Sequence, residues 1–544
     1  MSPVKWSKRD VPAALETRYV RDGWWTEETL GGQVATWLAD APDTTVATHS
    51  RTNQWQGTFA DIDDEARRLV SLLRGEGLEP GAVIAFQIPN WREAVVSFAA
   101  LAMGGYVLVP IVHIYGAAEV AFILDECGAE AYISPASFGY VDYTTIVDER
   151  QIDGLRLHVV VGEGADAPAP DAVRRVAWDE VAAHEPATDL PEVAPADAVV
   201  LAYTSGTTSD PKGVIHDHRT LLAELAHING MAKPDMANLM GSPVTHATGM
   251  LGAVLSPLWL ANPIHLIDRW DPGHALEVMA EHGIGGGTGA SVFLSTLLDH
   301  PDFTPEHAAN MPYIGLGGAP VPIALGERAE SWGIRIIRAY GSTEHPSISG
   351  STYEDPPEKR HRTDGRALPG VELRLVDADG NEVAAGEPGE IVSRGPDLCM
   401  GYTNPALNDA FDDEGWYRTG DIGILDGDGF LTITDRVKDI IIRGGENLSA
   451  AEIEDRVAVV PGVAEVAVVA APDGRLGERA CAVIRMQADA EPIDLPTLTG
   501  HLEAAGVTRQ KWPEEISIVD DFPRTPSGKI RKVDLRARLR EQAD

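Results

Sequence analysis

The sequence predicts an α/β protein: a large N-terminal domain of layered α/β sheets with a β-rich subdomain, then a small α+β domain at the C-terminus. Three observations predict it. Short apolar, strand-like runs alternate with helical stretches through the first half, the pattern of largely parallel sheets covered by helices. After Ser351 the pattern changes to short strands joined by Asp/Gly turns. Beyond Asp435 a further set of apolar runs recurs, and a chain of 544 residues is long enough to divide into two or more cores.

The elements follow in order. Thr58 caps a helix that runs to Arg74, Val83–Gln87 reads as a strand, Glu93–Met103 as a helix, and Tyr106–Val109 and Ala131–Ser134 as strands. Ala94 to Val112 is long and uncharged enough to raise a membrane span, but Gly104-Gly105 and Pro110 break it into a buried helix feeding a strand. From Glu163 to Asp197 a stretch rich in Ala, Pro, Asp and Glu reads as an exposed loop. Asp377-Ala-Asp-Gly380 and Asp426-Gly-Asp-Gly429 read as hairpin turns, because the further ligands of a calcium loop are missing. In the last part Ala464–Ala470, Ala480–Met486 and Ile516–Val519 supply a separate core, which places the domain division at residues 1–435 and 436–544. No repeat of 20 to 50 residues is evident, so a solenoid is excluded.

A formal charge of −39 argues against nucleic acid or an anionic membrane as partner, since both require a basic surface. The three cysteines, Cys127, Cys399 and Cys481, are too few and too scattered for a disulfide frame or a zinc site. The N-terminus lacks the apolar core of a signal peptide and Glu541-Gln-Ala-Asp544 is no retention or peroxisomal address, so a reducing cytoplasm is expected.

The chemistry concentrates in Tyr203-Thr-Ser-Gly-Thr-Thr-Ser-Asp-Pro-Lys-Gly-Val214, directly after the apolar run Ala198–Ala202. A strand ending in a Gly/Ser/Thr loop aims backbone N–H groups and hydroxyls at one point, and Lys212 adds a positive charge: the composition of a polyphosphate cradle. Neither this loop nor Ser527-Gly-Lys-Ile530 has the spacing of a Walker A loop.

Six further motifs follow in order: Pro243-Val-Thr-His-Ala-Thr-Gly249, Gly317-Gly-Ala-Pro320, Tyr340-Gly-Ser-Thr-Glu344, Gly415-Trp-Tyr-Arg-Thr-Gly-Asp421, Asp435-Arg-Val-Lys-Asp-Ile-Ile-Ile-Arg-Gly-Gly-Glu446 and Pro523-Arg-Thr-Pro-Ser-Gly-Lys529. Together they resemble the adenylate-forming superfamily of acyl-CoA synthetases, peptide-synthetase adenylation domains and firefly-type luciferases. The resemblance runs from about Thr58 to about Lys532.

It implies a two-step reaction: a carboxylic acid and ATP give acyl-AMP and pyrophosphate, and a thiol then displaces AMP. Two anions must meet in the first step, so positioning and charge neutralisation carry the catalysis. By the resemblance Lys529 bridges carboxylate and α-phosphate. Thr204, Ser205, Gly206, Thr207, Thr208 and Lys212 grip the pyrophosphate end, and Glu344 and Thr207 are the magnesium ligands. Gly317, Gly318 and Ala319 bring backbone close to the nucleotide, within the same pocket as Gly341, Ser342 and Thr343. Tyr340 stacks on adenine, Asp421 accepts from the ribose hydroxyls, and Arg436 holds the ribose from the other side. His246 stands at the mouth of the acyl pocket and is no general base, because the substrate acid is already ionised at neutral pH. Lys438 is the hinge of a mobile C-terminal domain, whose rotation brings Arg443, Gly444 and Gly445 to line the tunnel for the coenzyme A arm.

The acceptor and the acid are read from what is missing. No carrier domain follows Lys529, which favours free CoA over a carrier protein, the alternative. The amino-acid activators of the family usually place an aspartate shortly after the aromatic of the His246 motif, and Ala247-Thr-Gly249 offers none, so the resemblance favours a non-amino carboxylic acid; a medium-chain, alicyclic or aromatic acid is expected. The run Gly283-Ile-Gly-Gly-Gly-Thr-Gly-Ala-Ser291 fits either a roomy acyl pocket or tight strand packing.

Overall fold

The computed structural model describes the chain except residues 1–5, 140, 149, 151, 164–169, 171, 205–210, 232–235, 437–438, 444–445, 474–476, 489, 506, 525–529 and 544. The described residues form two compact units. One lies within Met1–Thr204, Asp210–Glu372 and Arg394–Tyr417, the other within Leu373–Ser393 and Arg418–Asp544.

The first unit is built on a seven-stranded sheet in the order Lys212–Asp217, Ala198–Thr204, Val107–Pro110, Val83–Phe86, Ala131–Pro135, Leu157–Val161, Arg174–Ala177. All its pairs are parallel except the edge hairpin Ala198–Thr204 with Lys212–Asp217. Apart from the edge strand Arg174–Ala177 the strands are buried on both faces, and alternate residues serve different cores. Ile84, Phe86, Leu108 and Ile133 join one, Val83, Ala85, Val109 and Tyr132 the other. Against the first face packs the helix Arg92–Met103, of which every residue from Glu93 on is buried. Its other side meets a five-stranded sheet that includes Thr45–Thr48 and Ile264–Leu266, through Val46, Ile264 and Leu266. Gly31 shows how closely the layers approach, since a Cβ there would lie 2.2 Å from the Ala102 carbonyl oxygen. A four-stranded sheet carries Tyr313–Gly317 parallel to Arg335–Tyr340.

The helix Phe59–Gly75 starts as the sequence predicts, at Thr58. Thr58 Oγ1 accepts from Asp61 N and Asp61 Oδ2 accepts from Thr58 N at 2.8 Å, a reciprocal cap. Among the described residues no helix is long and apolar enough to cross a membrane. The strand expected at Tyr106–Val109 lies at Val107–Pro110, because Tyr106 closes the turn after the preceding helix by donating to Leu101 O at 3.0 Å. The stretch expected as an exposed loop from Glu163 to Asp197 contains the edge strand Arg174–Ala177 and the short helix Trp178–Ala183. Trp178 and Val181 are buried there, and the Trp178 indole donates to Glu65 Oε1 at 2.9 Å.

In the second unit, Glu372–Val376, Pro388–Arg394, Tyr417–Leu425 and Leu431–Arg436 form one sheet. Both Asp/Gly segments are turns: Asp377 Oδ1 accepts from Asp379 N and Asn381 N, and Asp426 Oδ1 from Asp428 N and Phe430 N, all at 2.9 Å. The long hairpin Val463–Asp473 with Gly477–Met486, joined by Glu515–Ile518, centres a second sheet. Its alternating residues again feed two cores, Val468, Ala482 and Ile484 under the helices Ala450–Ala458 and Leu495–Ala504, and Val469, Cys481 and Val483 under Lys532–Ala543.

Candidate active site

In the edge hairpin of the first unit, Thr204 is the direct cross-strand partner of Lys212. Opposed residues of an antiparallel pair project to one face, so both feet of the Ser/Thr/Gly loop present their side chains together. Ser205, Gly206, Thr207 and Thr208 lie outside the described residues. The second strand continues into Met400–Thr403: Met400 N donates to Ile215 O at 2.7 Å, Ile215 N to Gly401 O at 2.9 Å and Thr403 N to Gly213 O at 2.8 Å. Gly213 is required by this approach, since a Cβ would meet Thr403 Oγ1 at 2.5 Å.

That added segment reaches Glu344. The Tyr402 hydroxyl donates to Glu344 Oε1 at 2.8 Å, and Cys399 N donates to Glu344 O at 2.8 Å. Burial and the neighbouring carboxylate push the Tyr402 phenol well above its ordinary pKa, so it stays a donor. Burial acts likewise on the nearby Tyr417, and on the Cys399 thiol, pushed up to about 12 and therefore inert. Glu344 is 9% exposed and has no cationic partner among the described residues. A buried carboxylate in that condition fits a cation.

The Tyr340–Pro346 turn that carries Glu344 is tight. Ser342 N donates to His345 O at 2.9 Å, and a Cβ on Gly341 would lie 1.9 Å from Pro346 O. His216 Nε2, 2.8 Å from Thr343 O, donates to that carbonyl, and burial lowers the pKa of the His216 ring. Tyr340, 8% exposed, ends the strand Arg335–Tyr340.

Gly317 and Gly318 end the neighbouring strand. A Cβ on Gly317 would meet Ala339 O at 2.9 Å, and Gly318 has φ +72° with its Cβ direction 3.9 Å from Thr248 Oγ1. Ala319 follows in the same turn. The His246 motif therefore lies beside the Gly317–Ala319 turn. His246 caps the short helix Ala247–Gly249, its Nδ1 accepting from Thr248 N at 3.3 Å. The buried Asn90 organises this region: its Nδ2 donates to Ser242 O at 3.0 Å and its Oδ1 accepts from Val244 N at 2.8 Å. No pattern around Asn90 in the sequence announces that role.

In the glycine run the described neighbours show close approach. Cβ atoms on Gly285 and Gly286 would strike Asn238 Oδ1 at 2.6 Å and Met279 Sδ at 2.8 Å, so these two serve close packing. Gly289, at φ +105°, faces Ser242 Oγ and Thr248 Cγ2 instead, at 3.0 and 3.6 Å from a Cβ.

In the second unit Asp421 and Arg436 are direct register partners, and Arg436 Nε lies 2.8 Å from Asp421 Oδ1. The strand register thus brings the two residues expected at the ribose together. Arg443 makes a two-pronged pair with Glu514, at 2.8 and 2.6 Å. Lys438, Gly444, Gly445 and Lys529 lie outside the described residues. Arg524 and Ile530, flanking the Lys529 loop, form an antiparallel bridge.

The family model for AMP-binding enzymes matches residues 34–403. The chain belongs to the AMP-binding enzyme family. The model for the AMP-binding enzyme C-terminal domain matches residues 452–529. The medium-chain fatty-acid–CoA ligase of Escherichia coli is 32% identical over 486 residues, covering 88% of this AMP-binding enzyme and 85% of that protein. The 3-[(3aS,4S,7aS)-7a-methyl-1,5-dioxo-octahydro-1H-inden-4-yl]propanoyl:CoA ligase of Mycobacterium tuberculosis is 34% identical over 492 residues, 88% and 93% of the two chains. The crystal structure of ATP-bound MatB from Rhodopseudomonas palustris superposes with a TM-score of 0.82 at 25% identity, covering 94% of this AMP-binding enzyme and 100% of that chain.

Proposed function

We infer that this chain is an ATP-dependent, AMP-forming carboxylic acid:CoA ligase acting on a medium-chain, alicyclic or aromatic acid. What supports it is the stitching of the Lys212 strand to the Glu344 turn through Tyr402, which sets the Thr204–Lys212 hairpin beside a buried carboxylate with no ion-pair partner among the described residues.

Lys212 and Thr204 hold the pyrophosphate end of ATP with Ser205, Gly206, Thr207 and Thr208. Glu344 and Thr207 hold magnesium, a hard cation that needs only one or two protein ligands beside phosphate and water. Bound there, magnesium neutralises charge on the polyphosphate. Tyr340 stacks on adenine against Gly317–Ala319 and the Gly341–Thr343 turn, while Asp421 and Arg436 take the ribose. Lys529 steers the substrate carboxylate onto the α-phosphate; the new bond is C–O–P, and pyrophosphate leaves. The thiol of CoA then attacks the acyl carbon and AMP departs. For that step the C-terminal domain, residues 436–544, turns about Lys438 relative to residues 1–435, and the Arg443-Gly444-Gly445 segment replaces Lys529.

His246 and Gly289 border the acyl pocket, supported by Thr248, whose side chain lies within 4 Å of where a Cβ would stand on either Gly289 or Gly318. The absence of an acid in Ala247–Gly249 supports a substrate without an ammonium group. Three free, buried thiols support a reducing, cytoplasmic setting.

The test incubates the protein with ATP, magnesium and a panel of short, medium, long, alicyclic and aromatic acids, with and without CoA, and reads products by mass spectrometry. Acyl-CoA from medium, alicyclic or aromatic members is expected. Acyl-AMP that never passes to CoA would replace CoA by a carrier protein, and no adenylate from any acid would reject the ligase.

A further inference from the structure

Glu224 and His227 stand one turn apart on one face of the helix His218–Met231, and Asp397 meets them from the loop before Met400. Their ligand atoms all lie within 4.8 Å of one another, and the three residues are 1%, 3% and 0% exposed. His227 Nε2 lies 2.7 Å from Pro369 O, a group that only accepts, so Nε2 carries the ring hydrogen. Nδ1 turns toward Asp397 Oδ1 at 3.6 Å and Glu224 Oε2 at 4.0 Å. Among the described residues no N–H or O–H group donates to His227 Nδ1 or to Glu224 Oε2. Three lone-pair donors, two of them on carboxylates, thus converge in a buried place.

The same carboxylates are oriented by further contacts. Glu224 Oε1 accepts from Ser347 Oγ at 2.7 Å and Asp397 Oδ2 from Ser347 N at 3.4 Å, while Asp397 Oδ1, the oxygen that faces His227, is also 3.2 Å from His345 Nε2. A histidine whose far nitrogen donates to a backbone carbonyl, beside carboxylates oriented by further hydrogen bonds, is the arrangement that fixes metal ligands.

We propose that Glu224, His227 and Asp397 form a structural site for a divalent transition-metal ion of the zinc class, distinct from the magnesium that accompanies the nucleotide. The two carboxylates balance a 2+ ion, and one imidazole with two carboxylate oxygens suits zinc better than the hard ions, which prefer oxygen alone. A tetrahedral ion with bonds of about 2.0–2.2 Å sets its ligands roughly 3.3–3.6 Å apart. The 3.6 and 4.0 Å separations reach that spacing with a small contraction. Three protein donors leave the fourth position to a water. Because Ser347 and His345 hang from these ligands, the ion ties down the base of the turn that carries Glu344.

The test is metal analysis of the purified full chain, dialysed against EDTA, reloaded with Zn2+ or Co2+ and freed of excess ion. About one equivalent of zinc, retained in Glu344→Gln and lost at least tenfold in Glu224→Gln and His227→Ala, supports the site. Where those two variants fail to fold, the wild type decides: bound Co2+ should show the strong visible absorption of a four-coordinate ion, and zinc should raise Tm. Zinc below a tenth of an equivalent with no Tm response, equal zinc in folded Glu224→Gln, or loss of zinc in Glu344→Gln would each overturn the proposal. The first outcome would leave protons on these groups in place of the ion.

Discussion

Replacing Tyr402 by Phe keeps the buried ring and removes only the hydroxyl that donates to Glu344 Oε1 at 2.8 Å. A hydrogen bond to a charged group contributes about 1.5–3 kcal/mol, and none of that is regained from water where both partners are buried. Each 1.36 kcal/mol is a factor of ten in rate, so Tyr402→Phe should lower kcat/KM for adenylation roughly 10- to 150-fold. The loss should fall on the magnesium dependence, because the freed carboxylate no longer holds one direction. The assay is pyrophosphate release, or ATP–pyrophosphate exchange, across a magnesium titration, with Tm measured alongside to show that the fold persists. Adenylation within twofold of wild type at every magnesium concentration would refute both the role of Glu344 and the orienting role of Tyr402.

Three further outcomes are expected. Lys529→Ala should slow adenylation about 10²–10³-fold, the scale of losing one preorganised donor, while thioester formation from supplied acyl-AMP stays near wild type; equal loss in both halves would sink the assignment. Lys438→Pro should restrict the hinge and damage the CoA step selectively, and unchanged CoA-dependent turnover would count against a domain swing. His158 is fully buried and desolvation, with Arg175 nearby, lowers its pKa to about 3. Its neutral form therefore contributes stability that is complete above the unfolded value near 6.5 and is lost on acidification at about 1.36 kcal/mol per pH unit, reaching about 2 kcal/mol at pH 5. Urea unfolding of His158→Gln should show a pH slope smaller by that amount between pH 7 and 5, and an identical slope would exclude His158 as a source.

What the sequence made legible was whatever is local. The Thr58 cap, the break at Gly104-Gly105 and the Asp377 and Asp426 turns each depend on residues within a few positions, and the structure has them where the sequence predicts. Family motifs marked the turns that carry Glu344 and His246 because each is a short continuous string. Partners distant in the chain were not legible. Tyr402 is 58 residues from Glu344, Asn90 is 152 from Ser242, and only the fold brings Asp397 to Glu224 and His227. The glycine run was ambiguous for another reason: the neighbours that crowd Gly285 and Gly289 come from distant parts of the chain, Asn238 and Ser242 among them. The strand Arg174–Ala177 escaped because its one buried apolar residue, Val176, sits among arginines in an acidic, proline-rich stretch.

The segments proposed to hold the pyrophosphate and to carry Lys529 are each bounded by β pairing, Thr204 to Lys212 in one and Arg524 to Ile530 in the other. A clasp of this kind separates what a loop says from what holds it. Whatever stands between the feet, the two ends keep fixed addresses in the backbone pairing, as the ends of a cassette do. Natural drift in nucleotide handling can then proceed by rewriting the cassette, and a designer can transplant one from a relative by matching two residues and a length.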